Sequence, residues 1–144
     1  MLNQSFIYLI FEKNQIEYYD RISEVRRSGN FEQLIRFFLE AVSKAASDSL
    51  ETIRQLSALH DTNIEKLPKT TRSKDNLRAV FDYIEQYPII DIKRTAKELD
   101  ISYNTAATAV KKLMELGILQ ETTNAARNRV FAYEEYLGIL RKDT

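Results

Sequence analysis

The chain has 144 residues, with 21 basic and 21 acidic side chains, one histidine and no cysteine. The lack of cysteine excludes disulfide bonds and thiolate metal sites, and the balanced charge argues against a highly basic protein that coats nucleic acid. The sequence has no run of about 18 apolar residues, so it predicts no membrane span, and its start lacks the features of a secretory signal. We therefore expect a cytoplasmic protein.

The first half of the chain is predicted to form a long helical hairpin. Apolar residues recur mostly at intervals of three and four from Phe6 to Arg27, which is the period of a helix. Gly29 then interrupts the pattern, as a residue that ends a helix does, and Asn30 is suited to cap the next helix. That second helix is predicted to reach about Lys66 and to stop before Pro68. Two antiparallel helices make only a thin core, so another surface must cover them.

A polar stretch at residues 69–74 is predicted to link residues 1–68 to a second domain at residues 75–144. Within the second domain the patterns predict a helix at 76–87, a short strand or extended segment at 89–92, helices at 93–99 and 103–116, strands at 118–123 and 128–133, and a last helix at 134–141. This order is typical of a winged helix-turn-helix domain with a small β-hairpin as its wing. The predicted fold is therefore mainly α.

Several side chains of the second domain are expected to point inward. Two helices are predicted to bury apolar stripes, and two apolar residues bracket the turn between the motif's helices. These residues are Leu77, Val80, Phe81, Ile84, Val110 and Leu113 on the helices, and Leu99 and Ile101 at the turn. The aromatic residues Tyr18, Tyr19, Phe37 and Phe38 of the first half are expected to be core rather than a stacking platform.

The second helix of a helix-turn-helix motif reads DNA in the major groove through its N-terminal turns. Here those turns carry hydrogen-bonding side chains, followed by two lysines that could reach phosphate, and further cations lie on the preceding helix and at the hairpin tip. The candidate DNA-binding residues are Lys93, Arg94, Ser102, Tyr103, Asn104, Thr105, Thr108, Lys111, Lys112, Arg127, Asn128 and Arg129. Residues 93–97, 102–112 and 127–129 together hold seven basic residues and no acidic one.

A second interpretation stays open beside DNA binding. Exposed lysines and arginines are usually solvated surface, and polar residues at a helix start are usually caps. Winged helices also serve as protein-interaction and oligomerisation modules. A recognition helix on an open, basic face would favour double-stranded DNA as the partner, whereas a covered helix would favour a protein partner.

The residues indicate no catalytic centre, no cofactor and no metal site. His60 is the only histidine, and it precedes Asp61. Such a pair could orient a general base, but a surface or interhelical histidine is the more economical interpretation because no nucleophile accompanies it. The three isolated glycines form no phosphate-binding loop.

Motifs along nearly the whole chain resemble one known family. In the first half they are Phe11-Glu12-Lys13-Asn14, Tyr18-Tyr19, Val25-Arg26, Gly29-Asn30-Phe31-Glu32 and Phe37-Phe38-Leu39. In the second half they are Ile101 to Ala106, Leu116-Gly117-Ile118-Leu119 and Arg127 to Phe131. The first set is similar to the C-terminal helices of the Fic (filamentation induced by cAMP) family, and the second set is similar to the winged helix that many bacterial Fic proteins carry.

The resemblance implies a parent protein that transfers AMP from ATP to a hydroxyl side chain. The Fic reaction depends on a His-x-Phe loop that continues to Gly-Asn-Gly-Arg, and this chain lacks that loop: His60 is followed by Asp-Thr-Asn. The chain is therefore expected to be the non-catalytic C-terminal part of a Fic-type protein, with a DNA-binding, regulatory role. Without a catalytic domain to cover its first helices, it is expected to form a homodimer through their exposed apolar stripe.

Overall fold

A computed structural model of the chain describes residues 15–68, 74–123 and 129–142. This part of the protein is mainly helical, as predicted, and it contains a small three-stranded antiparallel sheet. The helices are α1 (Gln15–Ser28), α2 (Glu32–Lys66), α3 (Lys74–Gln86), α4 (Ile92–Glu98), α5 (Tyr103–Glu115) and α6 (Glu134–Arg141), and the strands are β1 (Ile89–Asp91), β2 (Gln120–Glu121) and β3 (Val130–Ala132). No helix of the described residues is long and apolar enough to cross a membrane.

The junction of α1 and α2 forms as predicted, although the first turns predicted from Phe6 onward lie outside the described residues. Gly29 adopts a left-handed φ of 72°, which a glycine reaches without steric penalty, and its N–H donates to the carbonyl of Val25 at 2.8 Å. The side-chain oxygen of Asn30 then accepts the N–H of Glu32 at 3.1 Å and caps α2. α2 ends at Lys66, shortly before Pro68, in agreement with the prediction.

The contacts within the chain divide it into two units. We call the described residues 15–53 the N-terminal unit and the described residues from 54 to 142 the C-terminal unit. The predicted 1–68 and 75–144 domains stay a prediction, since residues 69–73 of the linker lie outside the described residues. The division by contacts falls earlier, inside α2, because Leu59 and Asn63 near the end of that helix are buried within the C-terminal unit.

The N-terminal unit has no core of its own. None of its described residues is buried. The prediction that its aromatic residues are core is wrong for this chain: Tyr19 and Phe38 are 58% and 45% exposed, and Tyr18 and Phe37 are only half-buried. The physical reason is that two helices cannot enclose their apolar faces without a third surface.

The core of the C-terminal unit is built on the predicted stripes. Leu77, Val80, Phe81 and Ile84 of α3 are all at most 5% exposed. They meet a buried face of α5 that comprises the predicted Val110 and Leu113 and also Ala106 and Ala109.

The turn between α4 and α5 also forms where the sequence places it. Asp100 takes a positive φ of 52°, and the N–H of Ile101 donates to the carbonyl of Ala96 at 3.0 Å. Leu99 and Ile101 are partly buried against the core on either side of this turn. The oxygen of Ser102 accepts the N–H of Thr105 at 3.1 Å, so Ser102 caps α5 as predicted.

The sheet has the order β1-β3-β2, and both pairings are antiparallel. Where the described residues test them, the strands are shorter than the predicted ranges, because other groups take up the backbone N–H groups at their ends; the N–H groups of Ile118 and Leu119, for example, donate to the carbonyl of Leu113. The predicted strand start at residue 128 lies outside the described residues. Where β2 ends and β3 begins, the N–H of Val130 donates to the side-chain hydroxyl of Thr123 at 2.9 Å. At the end of β1, the Asp91 carboxylate accepts the N–H of Arg94 at 2.8 Å, so Ile92 begins α4 instead of extending the strand.

Stability is expected to fall when the pH rises above about 10, because Tyr133 is fully buried. Burial raises the pKa of Tyr133 from 10.0 to about 12, and it also raises the pKa of Tyr83 and Tyr136. The unfolded chain loses the Tyr133 proton near pH 10 while the folded chain keeps it. The contribution is therefore complete below pH 10 and is lost as the pH approaches 12. Urea unfolding across this range should show the decline, and Tyr133→Phe should make it shallower; an equal decline in that variant would contradict the assignment.

Candidate nucleic-acid interface

The helix α5 has one buried face and one polar face. The side chains of Ala106, Ala109, Val110 and Leu113 are at most 5% exposed. Tyr103, the first residue of the helix, is exposed, and the side opposite the buried face carries four further exposed candidates: Asn104, Thr108, Lys111 and Lys112. Because these positions recur at intervals of three and four, they form a continuous stripe along the helix. This stripe is the surface that α5 presents to solvent.

The hydroxyl groups at the start of α5 form hydrogen bonds within the helix and its N-cap. The oxygens of Ser102 and Thr105 are 2.8 Å apart, and Ser102 also caps the helix. The Thr108 hydroxyl donates to the carbonyl of Asn104 at 2.8 Å. The amide of Asn104, by contrast, makes no hydrogen bond within the described part of the chain and is free to meet a ligand. Of the polar side chains at this helix start, Asn104 is thus the best placed to read a base edge.

Two of the candidate cations are paired with carboxylates. Lys112 Nζ lies 3.1 Å from Glu115 Oε2. Arg129 donates through Nε to Glu121 Oε1 at 2.7 Å and through a second nitrogen to the other oxygen of the same carboxylate. This two-pronged contact lowers the pKa of Glu121 and raises that of Arg129. The Arg129 guanidinium also lies 5.3 Å from the centre of the Phe131 ring, so it is held in place.

The structure brings some of the predicted residues together and separates others. Asn104, Thr105, Thr108, Lys111 and Lys112 all line one groove of about 750 Å³. Arg94 lines a different, smaller cleft of about 170 Å³ beside Tyr83 and Tyr87. Tyr103 lies close enough to Arg129 to contribute to the raised pKa of that guanidinium. Arg127 and Asn128 lie outside the described residues.

The remaining candidate on α4, Lys93, is exposed on the second residue of that helix. Within the described residues, neither Lys93, Arg94 nor Lys111 makes an ion pair. Together with Lys97 of α4, which is also exposed, these three side chains are therefore available positive charges near α4 and α5, in contrast to Lys112 and Arg129.

Sequence reasoning missed four residues that shape this surface. Glu115 and Glu121 offset two of the cations, and Pro68 and Asn76 line the groove beside α5. Glu115 could have been found from its position three residues after Lys112 on one helix. Pro68 and Asn76 carried no such signal, because only the packing of distant segments brings them beside α5.

His60 is an interhelical residue of the C-terminal unit. Its Nδ1 atom lies 2.7 Å and 2.9 Å from the two carboxylate oxygens of Glu85 on α3, and its ring packs 5.7 Å from that of Phe81. The histidine is thus engaged with Glu85 and not with its neighbour Asp61 in a catalytic pair. Among the described ranges, no group of three or more His, Cys, Asp or Glu residues is placed to hold a metal ion.

Since His60 is paired with Glu85 and no metal site is found among the described residues, the polar surface of α5 is the candidate functional site. No protein-family model matches the chain, and no curated protein matches it either. The function is therefore argued from this surface and from the residues that border it.

Proposed function

We propose that the C-terminal unit contains a winged helix-turn-helix domain that contacts double-stranded DNA through α5. The observation that carries the proposal is the polar stripe of α5, which is exposed along its whole length while the opposite face is buried. A recognition helix needs this division, because one face must enter the major groove while the other anchors the helix to the domain.

The order of elements supports the same proposal. α3, α4 and α5 are followed by β2 and β3, which pair antiparallel, and β1 adds a third strand to the sheet. This is the order expected of a three-helix motif with a wing. In that arrangement the start of α5 would reach base edges, and Lys93 and Lys111 would contact phosphate groups. The role that follows is regulation of transcription.

The charge pattern favours modest, salt-sensitive binding. The chain has no net charge, and Glu115 and Glu121 hold Lys112 and Arg129. Those two ion pairs are at the surface, where such pairs contribute little to stability. A phosphate group could therefore replace either carboxylate as a partner at small cost.

The resemblance to the Fic family supports a further proposal about the protein that would carry this DNA contact. We propose that the chain is the C-terminal part of a cytoplasmic Fic-type protein and that it performs no catalysis itself. The motifs around Gly29 that carry the resemblance lie at the capped junction of α1 and α2. An AMP-transferring domain would then be regulated by, or directed to, the DNA that α5 contacts.

A protein-interaction module is the second candidate function, and one observation favours it. The stripe of α5 borders a groove of about 750 Å³, which Pro68, Asn76 and Leu77 also line. A groove beside a helix suits a peptide segment as well as a DNA backbone. In this alternative the domain would position or restrain the absent AMP-transferring domain.

Removal of the amide at Asn104 is expected to weaken DNA binding about tenfold, because a bidentate contact to a base is worth about 1–3 kcal/mol. Replacing Lys111 with glutamine is expected to weaken binding to all DNA sequences alike and to reduce the slope of log affinity against log salt by about 1.

Arg129→Ala should also weaken DNA binding, because it removes a positive charge beside the start of α5. Fluorescence anisotropy with a pool of duplexes at several salt concentrations measures these effects.

Lys142→Gln is the matched control, since it removes one exposed positive charge at the end of α6, away from the groove. It should leave DNA affinity nearly unchanged. If the unaltered protein shows no salt-sensitive binding to the pool, the DNA proposal fails. In that case, retention of a peptide or domain by the α5 groove, lost in Asn104→Ala, would identify the protein-interaction function.

A further inference from the structure

The hairpin of β2 and β3 places a carboxylate and a guanidinium side by side. Glu121 ends β2, and its register partner on β3 is Phe131. Arg129 stands two residues before Phe131, so the alternation of an extended chain sets the side chains of Arg129, Phe131 and Glu121 on one face of the hairpin. Diagonal neighbours of this kind lie within reach of long side chains, and here Arg129 and Glu121 form an ion pair.

The Arg129 guanidinium is held in one orientation by two different groups. Its Nε donates to Glu121 Oε1 at 2.7 Å, and a second nitrogen donates to the other carboxylate oxygen. Its central carbon lies 5.3 Å from the centre of the Phe131 ring, and Phe131 is only 1% exposed. Because the core anchors Phe131, the ring offers the guanidinium a fixed support that does not depend on the anion.

The Glu121 carboxylate occupies a position at Arg129 that suits a phosphate group equally well. Arginine binds carboxylate and phosphate in the same way, through two parallel hydrogen bonds from its planar fork. The pair is also accessible, since the side chains of Arg129 and Glu121 are 45% and 23% exposed. Surface ion pairs contribute little to stability, so one anion can replace the other with little loss.

The ion pair lies beside the start of α5. Glu121 is the main cause of the raised pKa of Arg129, and Tyr103, the first residue of α5, adds to it. Arg129 is therefore near the end of the helix that is proposed to enter the major groove. A duplex that receives the start of α5 would bring the phosphate groups at the edge of that groove close to Arg129.

We propose that Glu121 positions Arg129 in the free protein and that a DNA phosphate group replaces Glu121 as the partner of Arg129 when α5 binds. The inference rests on the DNA contact proposed for α5, and it adds a limit on the strength of that contact. The displaced carboxylate stays near the phosphate group and repels it. Glu121 thereby lowers the affinity for all DNA sequences alike, because it acts on the backbone and not on the bases.

Glu121→Gln tests the effect of the carboxylate on DNA binding. The amide keeps nearly the same shape and removes the competing charge, so the affinity is expected to rise about threefold to fivefold at low salt. The slope of log affinity against log salt should stay the same, since Arg129 contacts a phosphate group in both proteins. Arg129→Ala, by contrast, should reduce that slope by about 1. Fluorescence anisotropy with the pooled duplexes measures both quantities.

Glu135→Gln is the matched control for the change of charge. It also removes one exposed carboxylate, but Glu135 lies on α6 and lines a different groove from the one beside α5. This variant should leave the DNA affinity nearly unchanged. An equal gain in Glu135→Gln and Glu121→Gln would reflect net charge alone and would overturn the proposal.

The NMR signal of the Arg129 Nε–H group follows the exchange of partners directly, and Arg129→Ala assigns the signal by its loss. The signal is expected to shift in free Glu121→Gln, and to shift in the wild-type protein when duplex is added. If it stays unchanged while the amide signals of α5 move, Arg129 keeps Glu121 as its partner in the complex and the proposal is wrong.

The binding data separate this inference from the function on which it rests. Unchanged affinity in Glu121→Gln would overturn the exchange while the DNA contact of α5 stands. A slope that becomes steeper by about 1 would do the same, because Arg129 would then reach DNA only after the substitution. If the wild-type protein shows no salt-sensitive binding, the DNA contact itself fails, and the exchange fails with it.

Discussion

Replacing Phe81 with alanine is expected to lower the free energy of unfolding of the C-terminal unit by about 3–5 kcal/mol. The Phe81 ring is fully buried, and it packs 5.7 Å from the ring of His60 and 6.5 Å from that of Tyr133. Truncation removes the transfer free energy of the ring and leaves a cavity among α2, α3 and the residues that follow β3. Since the free energy of unfolding of a domain is only about 5–15 kcal/mol, this single change should remove a large part of it.

Urea unfolding followed by circular dichroism measures this loss. Tyr103→Ala is the control within the same unit, because Tyr103 is aromatic but 57% exposed. That variant should change the free energy by less than about 1 kcal/mol. Similar losses in the two variants would mean that the Phe81 ring is not enclosed as described.

Replacing Asn63 with alanine is expected to cost about 2–3 kcal/mol, the next largest effect. Asn63 is fully buried near the end of α2, and its amide donates to the Tyr133 hydroxyl at 2.6 Å. Its carbonyl oxygen accepts a hydrogen bond from Lys66 at 2.7 Å. Loss of the amide leaves the buried hydroxyl of Tyr133 without its donor, and an unsatisfied buried polar group is expensive.

A double-mutant cycle with Tyr133→Phe isolates this contact. If the hydrogen bond couples the two residues, the double variant should be more stable than the sum of the single losses predicts, by about 1–2 kcal/mol. Thr62→Ala is the control, since Thr62 is exposed on the same turn of α2 and its hydroxyl donates to the carbonyl of Ala58. Strict additivity at Asn63 and Tyr133 would contradict the proposed coupling.

Helix limits in this chain were largely predictable because local chemistry sets them. Gly29 and Asn30 separate α1 from α2, Ser102 starts α5, and Gly117 follows its end with a positive φ of 73°. Each of these signals acts within a few residues and needs no distant partner. Strand limits were less predictable, because a side chain such as Thr123 can take up a backbone N–H group next to the ladder, and because Asp91 caps α4 directly after β1.

The candidate interface was predictable in its residue types but not in its charge balance. The polar stripe from Asn104 to Lys112 follows from helical spacing, and the structure exposes it. The contact of Arg129 with Glu121 depends on the pairing of two strands, and Arg94 lines a separate cleft together with Tyr83 and Tyr87. Cations that the sequence groups into one basic surface, such as Arg94 and Arg129, therefore lie in different environments in the folded protein.

By itself, the amino-acid sequence determined that this protein is mainly helical, where most of its helices begin and end, and which faces of α3 and α5 are apolar. Those properties depend on periodicity and on capping residues, which act locally. Only the tertiary structure decided that the end of α2 belongs to the core around Tyr133, whereas the aromatic residues of the N-terminal unit are left exposed or half-buried. The reason is that burial depends on which other surfaces enclose a side chain, and two helices of the N-terminal unit supply too few.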